Sequence, residues 1–204
     1  MTTVGVLALQ GGVAEHERLL TGLGVTSRRV RRPADLDGLD ALVIPGGESS
    51  VLDRLLDVAG LRSALHEAVA GGLPTLSTCA GLVLLAARVA NPAPGQRSLG
   101  LLDVTVRRNA FGRQVDSVET TATWEAGPDG PTRLRAAAIR APEVVQTGPG
   151  VEIVATMAVD RQDRVVGVRQ GQLLGLALHP ELTGDPTAHR SLLAMTAAPR
   201  AFIG

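Results

Sequence analysis

The chain has 204 residues, with 20 Lys and Arg set against 20 Asp and Glu, and one cysteine, Cys79. Balanced, scattered charge speaks against nucleic acid as a partner, and a lone thiol excludes an internal disulfide framework and a CxxC-type zinc site. With two Phe, one Trp and no Tyr, the core has to come from Leu, Val and Ala, and no uncharged stretch is long enough to span a bilayer.

Val4–Leu9 is a continuous apolar run, as a parallel strand covered on both faces requires. It starts without a basic n-region or cleavage signal, so a cytoplasmic protein is expected. Gln10-Gly11-Gly12 leads into a helix over Val13–Leu23, with Leu19, Leu20 and Leu23 as its apolar positions and Gly24 as its stop. The G-x-G-x-x-G spacing of a dinucleotide site is missing. Ser27–Val30 is a second strand, Asp35–Leu39 a connector and Ala41–Ile44 a third strand. That strand runs into Pro45-Gly46-Gly47-Glu48-Ser49-Ser50, where Ser49 or Ser50 is the expected N-cap of the next helix. Backbone N–H groups of such a glycine turn can face an anion. A P-loop is excluded, because the Gly-Lys-Ser/Thr end is absent.

Leu61–Ala70 is a further helix. The run from Leu73 reaches Cys79 and turns through Ala80-Gly81 into a helical run ending at Ala87. Strand, sharp turn and helix with a nucleophile at the apex is the nucleophile-elbow geometry. Here Ser77 stands where that pattern has its first glycine. On this stretch alone, Cys79 reads equally as a small buried hydrophobe.

Asn91–Gly100 is a loop, and the pattern then becomes strand-rich: Leu102–Val106, Val115–Thr121, Leu134–Ile139, Val151–Ala158, Arg164–Arg169 and Gln172–Leu178. A turn falls at Gly127–Pro131. The last strand ends in His179-Pro180-Glu181, where Pro180 keeps His179 out of the helical region. A final helix follows Asp185-Pro186, with Leu192, Leu193 and Met195 on its apolar face. The expected fold is α/β: a three-layer, mostly parallel sheet flanked by helices, with an antiparallel extension in the second half. One domain over residues 1–198 and a flexible tail over 199–204 are expected.

A thiol nucleophile needs a base, a group to orient the base, and N–H donors for the developing oxyanion. Cys79, His179 and Glu181 fill the first three places, and the N–H groups of Gly47 and Ala80 are the candidate oxyanion hole. His16, His66 and His189 fall inside helices and are assigned surface or structural places. No ligand set has zinc spacing, and neither metal nor other cofactor is expected.

Pro45-Gly46-Gly47-Glu48-Ser49, Thr78-Cys79-Ala80-Gly81 and His179-Pro180-Glu181 together resemble the three signatures of class I, triad-type glutamine amidotransferases. Leu7–Gly11, Val106–Ser117, Ile139–Pro142 and His179–Thr183 narrow the resemblance to the glutaminase subunits of pyridoxal 5′-phosphate synthase, over nearly the whole chain. The resemblance implies hydrolysis of L-glutamine to L-glutamate and ammonia. It also implies delivery of that ammonia to a TIM-barrel synthase subunit within a large hetero-oligomer, with hydrolase and lyase both as descriptors. Glutamine would be held by Gly47, Glu48, Ser49, Arg108, Ile139 and Arg140. Ser77, Ser50 and Gly12 depart from the family pattern, and Ser77 is the departure expected to strain the elbow.

Overall fold

Parallel strands build the first half of the chain, the central two buried on both faces and the outermost, next to a single neighbour, largely exposed. A computed structural model describes residues 2–110, 118–127 and 130–197. In it β1 (Thr3–Leu7), β2 (Thr26–Val30), β3 (Ala41–Ile44) and β4 (Thr75–Thr78) lie parallel in the order β2-β1-β3-β4. β3 and β4 are buried at every residue, which is the reason neither alternates. Parallel neighbours need crossovers, supplied by α1 (Val13–Gly22), α2 (Ser49–Val58) and α3 (Arg62–Ala70). Each turns a leucine stripe inward: Leu20 in α1, Leu52 and Leu56 in α2, Leu65 in α3. The expected α1 stripe is corrected: His16 and Leu20 are buried, while Leu19 and Leu23 are half-buried.

The helix after Cys79, α4 (Ala80–Leu85), is shorter than its run of helix-forming residues suggests and is buried throughout. Ala86 turns extended and starts β5 (Ala86–Val89). This strand pairs with β6 (Leu102–Arg107), which in turn pairs with β9 (Glu143–Thr147), so a three-stranded second sheet forms. Alanines that favour a helix locally are here overruled by tertiary pairing. β5 and β9 are additions to the sequence reading.

Among the described residues the main sheet has nine strands and continues past β4 through β12 (Leu173–Leu176), β11 (Gln162–Gln170), β10 (Glu152–Val159), β7 (Val118–Trp124) and β8 (Thr132–Ala138). β12 runs parallel to β4, and every later pair is antiparallel. The expected parallel half and antiparallel extension are thus both present in one sheet. Two short helical segments, α5 (Pro180–Thr183) and α6 (Thr187–Met195), follow β12. The buried apolar side chains form one cluster across both halves, with Trp124 as the largest. The expected tail (199–204), the start of the strand placed at Val115, and Pro128-Asp129 of the expected turn lie outside the described residues. No helix among the described residues is long and apolar enough to cross a membrane.

Candidate active site

Cys79 sits where β4 stops and α4 begins, with φ 47° and ψ −102°. A non-glycine residue in that region costs about 1–3 kcal/mol and persists only when its surroundings hold it. Its N–H donates to the Leu176 carbonyl at 2.8 Å, and its carbonyl accepts from Val83 N–H at 3.2 Å. Gly81 lets the turn close, since a Cβ there would stand 2.3 Å from the Ile44 carbonyl oxygen. Ser77 is not the strained position. It lies within β4, fully buried, opposite Gly175 of β12, and its hydroxyl donates to the Leu174 carbonyl at 3.4 Å. The strain expected at Ser77 is found two residues later, at Cys79.

His179 reaches the same place from the end of β12. The strand stops at Leu176 rather than Leu178, and the chain is then caught by β8: His179 N–H donates to Ala137 O at 2.9 Å, and Ala137 N–H donates back at 3.1 Å. Pro180 starts α5 and places Glu181 under the ring. His179 Nδ1 lies 2.7 Å from Glu181 Oε1, and the imidazole also hydrogen-bonds Cys79. Burial alone would lower the pKa of His179. The hydrogen bonds to Cys79 and Glu181, and the charges of both, outweigh it and raise the value to about 10. That shift favours the imidazolium form of the ring, held between Cys79 and the Glu181 carboxylate.

The glycine turn between β3 and α2 packs against this pair. Gly46 N–H donates to Thr78 Oγ1 at 3.0 Å, and Gly47 has φ 155°. The N-cap of α2 is Glu48, not Ser49 or Ser50. Its carboxylate accepts from Ser50 N–H at 3.3 Å, from Val51 N–H at 2.8 Å and from Ser50 Oγ at 2.5 Å. A longer acidic side chain one residue earlier reaches the same orphan donors a serine would have met. Burial opposes ionisation of Glu48, but the Ser50 and Val51 hydrogen bonds and the Arg108 charge hold its carboxyl below the usual range. Gln10, which the sequence reading left in a turn, brackets the Glu48 backbone: Glu48 N–H donates to Oε1 at 3.2 Å, and Nε2 donates to the Glu48 carbonyl at 2.8 Å.

Arg108 Nη2 donates to Glu48 Oε1 at 3.1 Å. Its backbone is clamped by Asn91, whose Oδ1 accepts from Arg108 N–H at 2.6 Å and whose Nδ2 donates to the Arg108 carbonyl at 3.1 Å. Asn91 was read only as the start of a loop, and a side chain holding backbone across 17 residues leaves no periodic signal.

A cavity of about 300 Å³ gathers these parts. Cys79, Ala80, His179 and Glu181 line it on one side, Gly47, Glu48 and Ser49 on another, and Arg108, Ile139 and Arg140 close it. Every residue named from the sequence for catalysis, the oxyanion hole or glutamine binding lines it. Three of the non-glycine residues with positive φ, Cys79, Asn109 and Arg140, also line it, and backbone strain of this kind gathers at functional sites. Of Val106–Ser117, residues 106–110 are described and 111–117 are not.

Behind Glu181 stands a buried pair that the sequence reading did not connect to the site. His66 is exposed, as expected. His16 and His189 are fully buried, with His16 Nδ1 2.8 Å from His189 Nε2. His16 Nε2 lies 3.3 Å from Thr78 Oγ1 and 3.5 Å from Glu181 Oε1. The available signal was spacing: His16 stands four residues before Leu20, and His189 three before Leu192, so each shares its helix's buried face. Burial, with the charges of His189 and His179, lowers the pKa of His16 well below its usual value. Burial, partly offset by Asp185, lowers that of His189 to about 4.

Comparison with known proteins gives the same picture. The model of the SNO glutamine amidotransferase family matches residues 6–195. "Pyridoxal 5'-phosphate synthase subunit PdxT" of Cutibacterium acnes is 52% identical over 193 residues, covering 93% of this chain and 94% of the relative. The protein of the same description from Acidothermus cellulolyticus is 51% identical over 196 residues, covering 96% and 94%. A solved structure titled "Crystal structure of glutamine amidotransferase" superposes with a TM-score of 0.85 at 41% identity, covering 96% of this chain and 99% of that one. These matches correct the descriptor lyase: a glutamine amidotransferase subunit splits an amide with water, so hydrolase alone applies to this chain. The chain belongs to the SNO glutamine amidotransferase family.

Proposed function

We propose that the chain hydrolyses L-glutamine to L-glutamate and ammonia through Cys79, His179 and Glu181. We propose too that it does so as the glutaminase subunit of a cytoplasmic pyridoxal 5′-phosphate synthase. The synthase partner is a TIM-barrel subunit in a large hetero-oligomer, and ammonia passes to it. The relatives, each described as a pyridoxal 5′-phosphate synthase subunit, support the pathway. The observation that carries the chemistry is His179, held between Cys79 and Glu181 inside the cavity.

An imidazolium facing Cys79 favours its thiolate, the form that attacks. The thiolate adds to the side-chain amide carbonyl of glutamine, and the N–H groups of Gly47 and Ala80 receive the oxyanion. His179 gives its proton to the departing ammonia, then as neutral imidazole activates the water that releases glutamate from the thioester. Glu181 keeps the ring oriented throughout. At the other end, Arg108 and Glu48 present opposite charges 3.1 Å apart. The substrate's α-carboxylate pairs with Arg108, assisted by Arg140, and its α-ammonium pairs with Glu48. Ser49 and Ile139 complete the wall.

The test is ammonia release from L-glutamine, measured with and without the synthase subunit, for the natural chain and for Cys79→Ala. Turnover that depends on Cys79 and rises with the partner is the expected result. Turnover retained by Cys79→Ala overturns the assignment.

A further inference from the structure

Glu181 is held on one side only. Oε1 meets His179 Nδ1 at 2.7 Å and His16 Nε2 at 3.5 Å, while Oε2 is buried with no hydrogen-bond partner among the described residues. His179 Nδ1 stays on Oε1 while the other ring nitrogen moves protons in the proposed reaction, so His16 is the second group that holds this carboxylate. The same His16 nitrogen lies 3.3 Å from Thr78 Oγ1, and Thr78 Oγ1 accepts the Gly46 N–H at 3.0 Å. One ring therefore touches both the carboxylate that orients His179 and the hydroxyl that holds the glycine turn.

The tautomer follows from what each nitrogen faces. With the proton on His16 Nε2, that nitrogen donates to Thr78 Oγ1 and turns its N–H side to Glu181 Oε1 as a polar contact at 3.5 Å, and Nδ1 accepts from His189 Nε2–H. His189 Nδ1 is then a bare acceptor, and it is buried with no hydrogen-bond partner. The opposite tautomer aims a lone pair at the Glu181 carboxylate and passes a donor down the chain, leaving a buried N–H at His189 Nδ1 unmet. The first arrangement avoids both penalties.

We propose that His16, fixed as its Nε2–H tautomer by His189, is a positioning residue: it clamps Glu181 beneath His179 and ties that carboxylate, through Thr78, to the Gly46 turn. This rests on the glutaminase reading above. The groups that face His16 are His189 from α6, Glu181 from α5 and Thr78 from β4. His179 reaches it by charge, and Asp185 acts on His189. The depressed pKa values of both histidines agree with a neutral pair at the pH of the reaction.

The experiment compares the natural chain with His16→Ala, His16→Gln and Cys79→Ala, each assembled with the synthase subunit. It reads kcat and KM for glutamine, and the pH dependence of Cys79 alkylation by iodoacetamide, followed by mass on this chain, in which Cys79 is the one cysteine. His16→Ala is expected to lower kcat about 10- to 100-fold, the range lost when a group that orients a reacting residue is removed. KM changes little, and the rise in alkylation rate moves to higher pH because Glu181 no longer supports the imidazolium. His16→Gln, whose amide places an N–H donor where Nε2 stood, restores most of kcat and the original profile. His16→Ala with natural kcat and an unmoved alkylation profile overturns the proposal, as do equal losses in both His16 variants with that profile unmoved. Activity that disappears in Cys79→Ala but is undiminished in His16→Ala refutes only the role of His16. Activity surviving in Cys79→Ala refutes the glutaminase reading and this proposal with it.

Discussion

Gly46 and His179 approach so closely that a Cβ on Gly46 would stand 2.2 Å from the imidazole Cε1 and 2.9 Å from Nδ1. The glycine turn of one strand and the histidine at the end of another are thus a single packed unit. Both obstructing atoms belong to a ring pinned by Glu181 and by its own backbone bridge to Ala137, so the ring has nowhere to retreat. Gly46→Ala is expected to displace His179 and abolish ammonia release, and to destabilise the fold by about 1–3 kcal/mol, the usual cost of overpacking. Denaturant unfolding beside the glutaminase assay checks this. A variant with full activity contradicts the packing.

Asn91 acts on Arg108 through its backbone alone, with hydrogen bonds of 2.6 and 3.1 Å. Asn91→Ala frees the segment that carries the guanidinium and leaves Cys79 and His179 untouched. KM for glutamine should rise by up to about tenfold, as loss of two modest hydrogen bonds allows, with kcat nearly constant. A fall in kcat at constant KM would contradict this division of roles.

The buried histidines make stability depend on acid. His189 has a folded pKa of about 4, below the usual value for a free histidine. Acidification therefore protonates the unfolded chain first. The contribution is fully present above about pH 6.5 and is lost as pH falls towards 4, on the order of 3 kcal/mol in all. His16 is shifted in the same direction. Urea midpoints at pH 7 and pH 5 should show a smaller loss for His189→Leu than for the natural chain. Parallel losses in the two proteins would remove His189 as the cause.

Ser77 offers the converse test. Because it is a regular β4 residue facing Gly175, and the positive φ belongs to Cys79, Ser77→Gly is expected to leave kcat/KM within about twofold. It should cost about 0.5–1 kcal/mol of stability for the freer backbone. A large gain in activity would mean that the serine does strain the elbow.

The sequence reading pointed to residues that line one cavity because each stands at a strand end marked by punctuation: Gly46-Gly47 after β3, Ala80-Gly81 after β4 and Pro180 after β12. Apolar runs without alternation were enough to recognise the parallel half of the sheet. What escaped was set by tertiary contact. β5 opens with two alanines and an arginine that favour a helix, and pairing with β6 extends them. Glu48 caps α2 in place of the serines because its side chain bends back onto its own helix. Gln10, Asn91, His16 and His189 act across 17 to 173 residues of chain, distances at which neither periodicity nor motif spacing carries information.

The central claim is that Cys79 attacks the side-chain carbonyl of glutamine within this cavity. The most direct measurement is intact mass and peptide mapping after exposure of the assembled complex to a diazoketone analogue of glutamine, which alkylates the nucleophile that engages it. The account predicts one adduct, on Cys79, suppressed by excess L-glutamine and absent from Cys79→Ala. An adduct on another residue, or an active complex that leaves Cys79 unlabelled, would contradict it.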